Sequence, residues 1–342
     1  MTSSTKLIDS RVNRRFRRLT LNTVIVLYFL IMVGGVVRST GAGMGCPDWP
    51  KCFGSWIPPT EASQLPLNYK EIYGAKLKGE VIFNPVKTWI EYVNRLCGAA
   101  TGVLIFITLL ASTPYLKSNR KSFFRYSLLA FLLVGFQGWL GSKVVSSELH
   151  PVMITLHMLL AIVIVFILIY LFIRSSYSAE KDGKEIKNKS VIDKITILVL
   201  SLSLIQILLG TQVRETMDEV IRSLGYSERA EWIAALGIPF YVHRSFSILV
   251  LVSNVFWINK INHSIEGESR IKQMGKGCLA ILGLEILTGI VMAYFGVPPF
   301  AQPVHLTLAI IMIGLQFMMW LLMNANQLSW SNDIVKLSKD LV

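Results

Sequence analysis

Three histidines, His157, His243 and His305, stand inside long apolar stretches of the chain, each near one end of its stretch. An ionisable side chain in hydrocarbon is costly and usually functional; the plain alternative is a histidine that hydrogen-bonds a neighbouring helix. Two imidazoles facing each other across a helix bundle suit one chemistry well. They can clamp a haem iron from both sides, which leaves no site open to oxygen and favours electron transfer. Zinc suits His243 and His305 less well, because it takes three or four close ligands and the sequence places no carboxylate or thiolate with this pair. His157 has a different opposite number, Asn94, a weak ligand for haem iron. A haem held there has one strong axial bond and one weak or open side. The residues alone leave open whether that half of the chain binds haem.

Glu91 lies one helical turn before Asn94, and residues three apart share a helix face. A carboxylate there can deliver protons or stabilise charge beside a reacting haem substituent. It can equally sit in an ion pair with Arg95, four residues on. Arg38, Arg95, Arg214 and Arg244 form a set near the ends of apolar stretches, placed either to snorkel to the interface or to pair with haem propionates. Cys46 and Cys52 lie close together in Gly45-Cys46-Pro47-Asp48-Trp49-Pro50-Lys51-Cys52, where they can staple a loop or act in redox chemistry. Cys97 and Cys278 read as small buried apolar residues. His150, just before Pro151, is a minor interfacial candidate, and His263 reads as solvated.

The elements that must position these groups follow from composition. The chain has 342 residues, 53% hydrophobic and 16% charged. Its apolar residues fall in blocks of about twenty, enough to cross roughly 30 Å of hydrocarbon. Such blocks are helices, since every backbone group in lipid must be bonded internally. Eight spans are expected near 20–38, 88–111, 122–143, 150–174, 191–213, 236–258, 274–296 and 301–324. The first follows the basic run Arg11 to Arg18, and its length and lack of a cleavage site make it a retained helix. The net charge of +13 sits mainly between blocks, where it favours anionic lipid and sets orientation; no motif for nucleic acid is present. Lysine and arginine cluster before span 1 and after spans 2, 4 and 6, which places both termini in the cytoplasm. The outer loops are then 39–87, too long for a mere connection, and 214–235, which is rich in acidic residues and is expected to carry a short amphipathic helix near Arg222 to Leu236.

The chain also repeats itself. Gly34 to Thr40 and Gly210 to Thr216 both read G-x-x-V-R-x-T. Tyr92-Val93-Asn94-Arg95 matches Tyr241-Val242-His243-Arg244, and the H-x-x-L-A-I run at His157 recurs at His305. Three matches in one order make two four-helix halves of like orientation, related by an axis along the membrane normal. This register pairs His157 with His305, Asn94 with His243 and Glu91 with Phe240. The expected architecture is an all-α integral membrane protein with eight transmembrane helices in two pseudo-symmetric four-helix bundles. Its parts are a cytoplasmic segment 1–19, a first half 20–175, a linker 176–190, a second half 191–325 and a cytoplasmic tail 326–342. Matched halves also occur in secondary transporters, but midspan Gly/Pro breaks are absent and the polar residues cluster at the outer edge.

At these residues the sequence resembles the haem A synthase family over about residues 20–325. The resemblance rests on the end of span 1 with its G-C-P-D-W-P-x-C loop, the E-Y-x-x-R motif of span 2, and the histidines of spans 4, 6 and 8. It implies an oxidoreductase of the inner (cytoplasmic) membrane that converts haem O to haem A, taking one ring methyl to formyl by successive hydroxylations and loss of water. It implies haem b on His243 and His305, haem O with His157 as axial ligand, Glu91 as the catalytic carboxylate, and electron or haem handling by Cys46 and Cys52. A haem-O-making prenyltransferase and cytochrome oxidase are its implied partners; membrane lipid surrounds the chain, and a homo-oligomer is compatible with it. Many members have histidine where this chain has Asn94, and some have a second cysteine pair, which 214–235 lacks. The competing expectation is a b-type electron carrier or haem-handling protein without oxygen chemistry of its own.

Overall fold

The computed structural model describes residues 10–73, 83–177, 185–225, 227–325 and 328. The first nine residues, the middle of the 176–190 linker, part of the outer loop and nearly all of the 326–342 tail lie outside the described residues.

Among the described residues, eight helices are long and apolar enough to cross a membrane, and no strand is formed beyond two isolated bridges. The long helices are α1 (Ser10–Ser39), α2 (Pro85–Ala111), α3 (Ser122–Ser146), α4 (Pro151–Ser176), α5 (Lys189–Leu224), α6 (Ile238–Ser264), α7 (Arg270–Tyr294) and α8 (Ala301–Met323). Local chemistry sets several of their ends. Asn84 caps α2 by accepting from Lys87 N at 3.1 Å, with Pro85 in the first turn. Ser269 caps α7 through Lys272 N at 3.2 Å. Gly225, at φ 76°, closes α5 in a conformation that glycine adopts without a Cβ penalty.

The helices pack as two rings. In one, α1 meets α2, α2 meets α3, α3 meets α4 and α4 returns to α1; in the other, α5 to α8 repeat the same order of contacts. This pattern fits the two matched halves expected from the sequence repeat. The rings join through α1 and α4 against α8, with a smaller contact between α4 and α5. Gly35 lets α1 lie close against α8, since a Cβ there would lie 2.8 Å from Pro303 Cβ and 2.9 Å from its Cα. Helix α8, touching both rings, is the most buried span.

Two expected segments differ. Helix α5 does not stop near 213 but runs out to Leu224, so Arg214 and Asp218 are helical and only a short turn of helix, Trp232–Ala235, remains of the expected amphipathic segment. The extension is favoured by an i,i+4 ion pair, Arg214–Asp218 at 2.8 Å. Helix α1 is already formed at Ser10, the first described residue, ten residues before the expected span, and Phe16 on the basic run packs edge-on against Tyr115 and Phe123.

A buried polar knot distinguishes the second ring. Gln316 of α8 donates to Ser203 of α5 at 3.0 Å and to Asn254 of α6 at 2.9 Å. All three are buried. The same register in the first ring holds Leu27, Ile105 and Leu168, also buried. Interhelical bonds of this kind contribute about 0.6 kcal/mol on average in membranes, so the knot gives α5, α6 and α8 a fixed register more than bulk stability.

Candidate functional site

The second ring brings its two histidines together. His243 lies in the second turn of α6 and His305 in the second turn of α8, and their ring centroids are 6.4 Å apart. Two imidazoles bound to one metal from opposite faces, with metal–nitrogen bonds of about 2 Å, place their centroids about 6 Å apart. The spacing therefore fits one iron between them. His243 Nδ1 is buried without a hydrogen-bond partner, and Gln206 Nε2 holds the backbone carbonyl of His243 at 3.1 Å, leaving its ring free of that contact. His305 differs. Its Nδ1 lies 2.8 Å from Glu285 Oε2 and 2.8 Å from Thr288 Oγ1. The sequence reading that no carboxylate accompanies this pair is thus corrected: Glu285, twenty residues before His305 and on another helix, is brought to it by the α7–α8 packing.

Glycines shape the space around each candidate ligand. A Cβ at Gly210 would lie 3.2 Å from His243 Cε1, one at Gly289 3.7 Å from His305 Cε1, one at Gly141 3.4 Å from His157 Cε1, and one at Gly34 3.9 Å from Asn94 Oδ1. The four glycines lie on α5, α7, α3 and α1, each facing a candidate position on the next helix. Asn94 therefore occupies, in its own ring, the kind of place that His243 occupies in the other. His157 also parallels His243: its Nδ1 is buried without a partner, and Gln137 Nε2 holds its backbone carbonyl at 2.8 Å. The glycines were not singled out from the sequence, although two of them sit in or beside its repeated motifs. Gly210→Val is expected to push the His243 ring aside and to weaken or remove any low-spin haem spectrum of the purified protein. Gly98→Val, where a Cβ meets nothing within 4 Å, is expected to leave that spectrum intact.

In the second turn of α2, Glu91 is only 3% exposed. Its Oε2 accepts from the backbone N–H of Cys46 at 2.8 Å, and its Oε1 accepts from Arg95 Nε at 3.1 Å and from Arg95 Nη2. The ion pair weighed from the sequence therefore forms. Arg95 also donates to the backbone carbonyls of Asp48 at 2.7 Å, Lys51 at 3.0 Å and Cys46 at 3.0 Å. One guanidinium thus seats the whole cysteine loop on α2. Gly45 allows the close seat, since a Cβ there would lie 2.5 Å from Lys87 O. The Cys46 and Cys52 sulfurs are 2.00 Å apart, and both residues pack with Phe53 and Leu65 in a small core. At its edge, burial and then the Asp48 carboxylate hold the Tyr73 phenol above its ordinary value. At the matched place in the second ring, Phe240 packs against an apolar lid of Met217, Val220, Trp232, Leu236 and Val297. One ring is thus closed by a polar loop tied to a carboxylate, the other by hydrocarbon.

A family model described as cytochrome oxidase assembly protein, COX15-CtaA, matches residues 17–317, which include every group of this site. The chain belongs to the COX15-CtaA family. Among similar proteins, a heme A synthase of Orientia tsutsugamushi (strain Boryong) is 26% identical over 336 residues, covering 85% of this chain and 91% of that relative. A heme A synthase of Rickettsia akari is 25% identical, covering 88% and 96%. A heme A synthase of Shewanella oneidensis is 29% identical over a shorter stretch, 45% of this chain and 43% of that relative.

In this member of the COX15-CtaA family the arginines divide. Arg38 and Arg214, matched in the repeat, both close on Asp218, at 3.0 and 2.8 Å, and Arg214 Nη2 donates to the Arg38 carbonyl at 3.0 Å. They lash the C-terminal parts of α1 and α5 together. Arg38 Nε remains buried without a partner. Arg95 is committed to Glu91 and the cysteine loop, and Arg244 is exposed. His150 is exposed just before α4, and His263 is exposed as expected, on the last turn of α6 with its Nδ1 2.8 Å from Asn259 O. Cys278 is buried as expected; Cys97 is only partly buried.

Proposed function

We propose that this chain is a haem A synthase: it oxidises a ring methyl of haem O to formyl, giving haem A for cytochrome oxidase. Each of two hydroxylations consumes one dioxygen, two electrons and two protons and releases one water; loss of a further water from the dihydroxylated carbon leaves the aldehyde. The second ring holds a resident haem b between His243 and His305, whose spacing supports that role. When bound, haem b supplies one-electron transfer. The first ring would receive haem O, with His157 to bind its iron; Asn94, a weak ligand, would leave that iron accessible to oxygen.

The chain's own residues divide the remaining work. Glu91, at the edge of the substrate ring, holds or passes the protons that each hydroxylation consumes. Arg95 orients that carboxylate and keeps the cysteine loop over it, which excludes bulk water. Cys46 and Cys52 form a disulfide that closes the loop. Arg38, Arg214 and Arg244 stand at the outer rim where haem propionates would lie, with Arg38 and Arg214 exchanging part of their hold on Asp218 for the propionates. The protein is multi-pass in the inner membrane with both termini cytoplasmic, which the lysine and arginine distribution supports. Haem O synthase and cytochrome oxidase assembly factors are its expected partners, and a homo-oligomer is compatible with the free outer faces of the rings.

The observation that carries the enzyme reading is the asymmetry of the rings. A buried carboxylate and an asparagine mark one, and two histidines under an apolar lid mark the other. An electron carrier would have no use for the difference. The test is co-expression with a haem O supply in a host lacking its own haem A synthase, followed by haem extraction and mass analysis. Haem A that appears only with this chain is the expected result. Haem b without haem A, in folded protein supplied with haem O, would overturn the enzyme reading in favour of a carrier.

A further inference from the structure

Glu285 is a buried carboxylate inside a membrane helix that the proposed reaction has not yet used. Its geometry says what it does to its neighbour. Thr288 Oγ1 is within 2.9 Å of Leu284 O and 3.0 Å of Glu285 O, so its single hydrogen is committed to backbone carbonyls. It therefore accepts from His305 Nδ1. Glu285 Oε2 also accepts from that nitrogen. Two acceptors on one nitrogen place the proton on Nδ1 and leave the Nε2 lone pair for a metal.

The other candidate ligands have no such support. The repeat register that equates His305 with His157 equates Glu285 with Gln137 and Thr288 with Leu140. Gln137 turns instead to the His157 backbone carbonyl, and the Nδ1 atoms of His157 and His243 are both buried without partners. One imidazole of the three carries a carboxylate.

We infer that Glu285, acting through His305, is a positioning residue that makes the second-ring haem the electron-donating one. A carboxylate drawing on the Nδ1 proton gives the imidazole partial imidazolate character, strengthens its bond to iron and favours the oxidised metal. The negative charge held nearby acts in the same direction. The first ring, with glutamine at this position, lacks that bias, so electrons run downhill from the second ring to the first. This inference rests on the reading that His243 and His305 hold haem b.

The experiment is a potentiometric titration of haem b in the purified full-length protein, wild type beside Glu285→Gln. The glutamine keeps shape and a neutral acceptor but removes the charge. The low-spin spectrum is expected to persist while the haem becomes about tenfold more reduced at the wild-type midpoint, a rise of about 59 mV for one electron. A retained spectrum with an unchanged or lowered midpoint would overturn the inference. Should Glu285→Gln fail to accumulate with haem, Thr288→Val decides. It leaves the carboxylate as sole acceptor and is expected to lower the midpoint, and a midpoint that rises or stays would overturn the inference equally. Wild-type protein that carries no low-spin haem b would instead overturn the haem assignment beneath it.

Discussion

Alanine at His243 is expected to abolish the low-spin haem b spectrum of the purified protein completely and to stop haem A formation with it. The two effects go together because, in the proposed scheme, electrons reach the substrate ring through the second. His243 is the cleaner of the two ligand positions to test. The bond from Gln206 ends on its backbone carbonyl, not on the ring, so the α5–α6 contact survives the substitution. Its Nδ1 has no partner to strand. His305→Ala should lose the same spectrum, but it also removes the hydrogen-bond donor that faces the buried Glu285 carboxylate, and leaving a buried acceptor unsatisfied costs about 1–3 kcal/mol. Thermal unfolding in detergent would separate the cases, with His305→Ala clearly lower than His243→Ala, since both lose the stabilisation that bound haem supplies. A His243→Ala protein with an unchanged low-spin spectrum would remove the assignment of this pair.

Glutamine at Glu91 is expected to lower haem A formation by about 10²–10⁴-fold, the usual range for a positioned acid–base group, while haem b stays in place. Glutamine preserves the side-chain shape and can still accept from Cys46 N–H. Arg95 keeps its three loop carbonyls, so the loop should stay seated. Alanine is the poorer probe, because it strands a buried N–H and a partly buried guanidinium together. Haem extracted from cells making Glu91→Gln at wild-type levels is the measurement. Full haem A yield would make Glu91 a structural anchor of the cysteine loop and nothing more. Loss of haem b as well would show that the two rings are coupled through the fold.

Much of this protein is written one residue at a time. The eight spans follow from apolar length, because lipid offers no partner to an unbonded backbone. The two halves follow from three motif matches in order, because matched positions keep their polar residues in step. His157, His243 and His305 stand out because charge and hydrocarbon are a costly combination, and Glu91 because its repeat partner is Phe240.

What the sequence left undecided depends on contacts between segments far apart in the chain. Arg95, four residues on in the same helix, pairs with Glu91 locally, but the second hold on that carboxylate needs the loop to fold back, since Cys46 N reaches it only when Gly45 lies against Lys87. Arg38 and Arg214 meet Asp218 only because α5 continues three turns beyond its apolar block, stabilised by side-chain pairs that hydropathy does not register. Glu285 carried no motif at all. In sequence it is one acidic residue in an apolar run, and its partner lies on the next helix. The meeting of the two is decided by how α7 packs on α8. Periodicity and hydropathy are local quantities and report which residues a helix holds. The crossing of two helices is a property of their packed surfaces, and only tertiary structure states which side chains that crossing brings within hydrogen-bond reach.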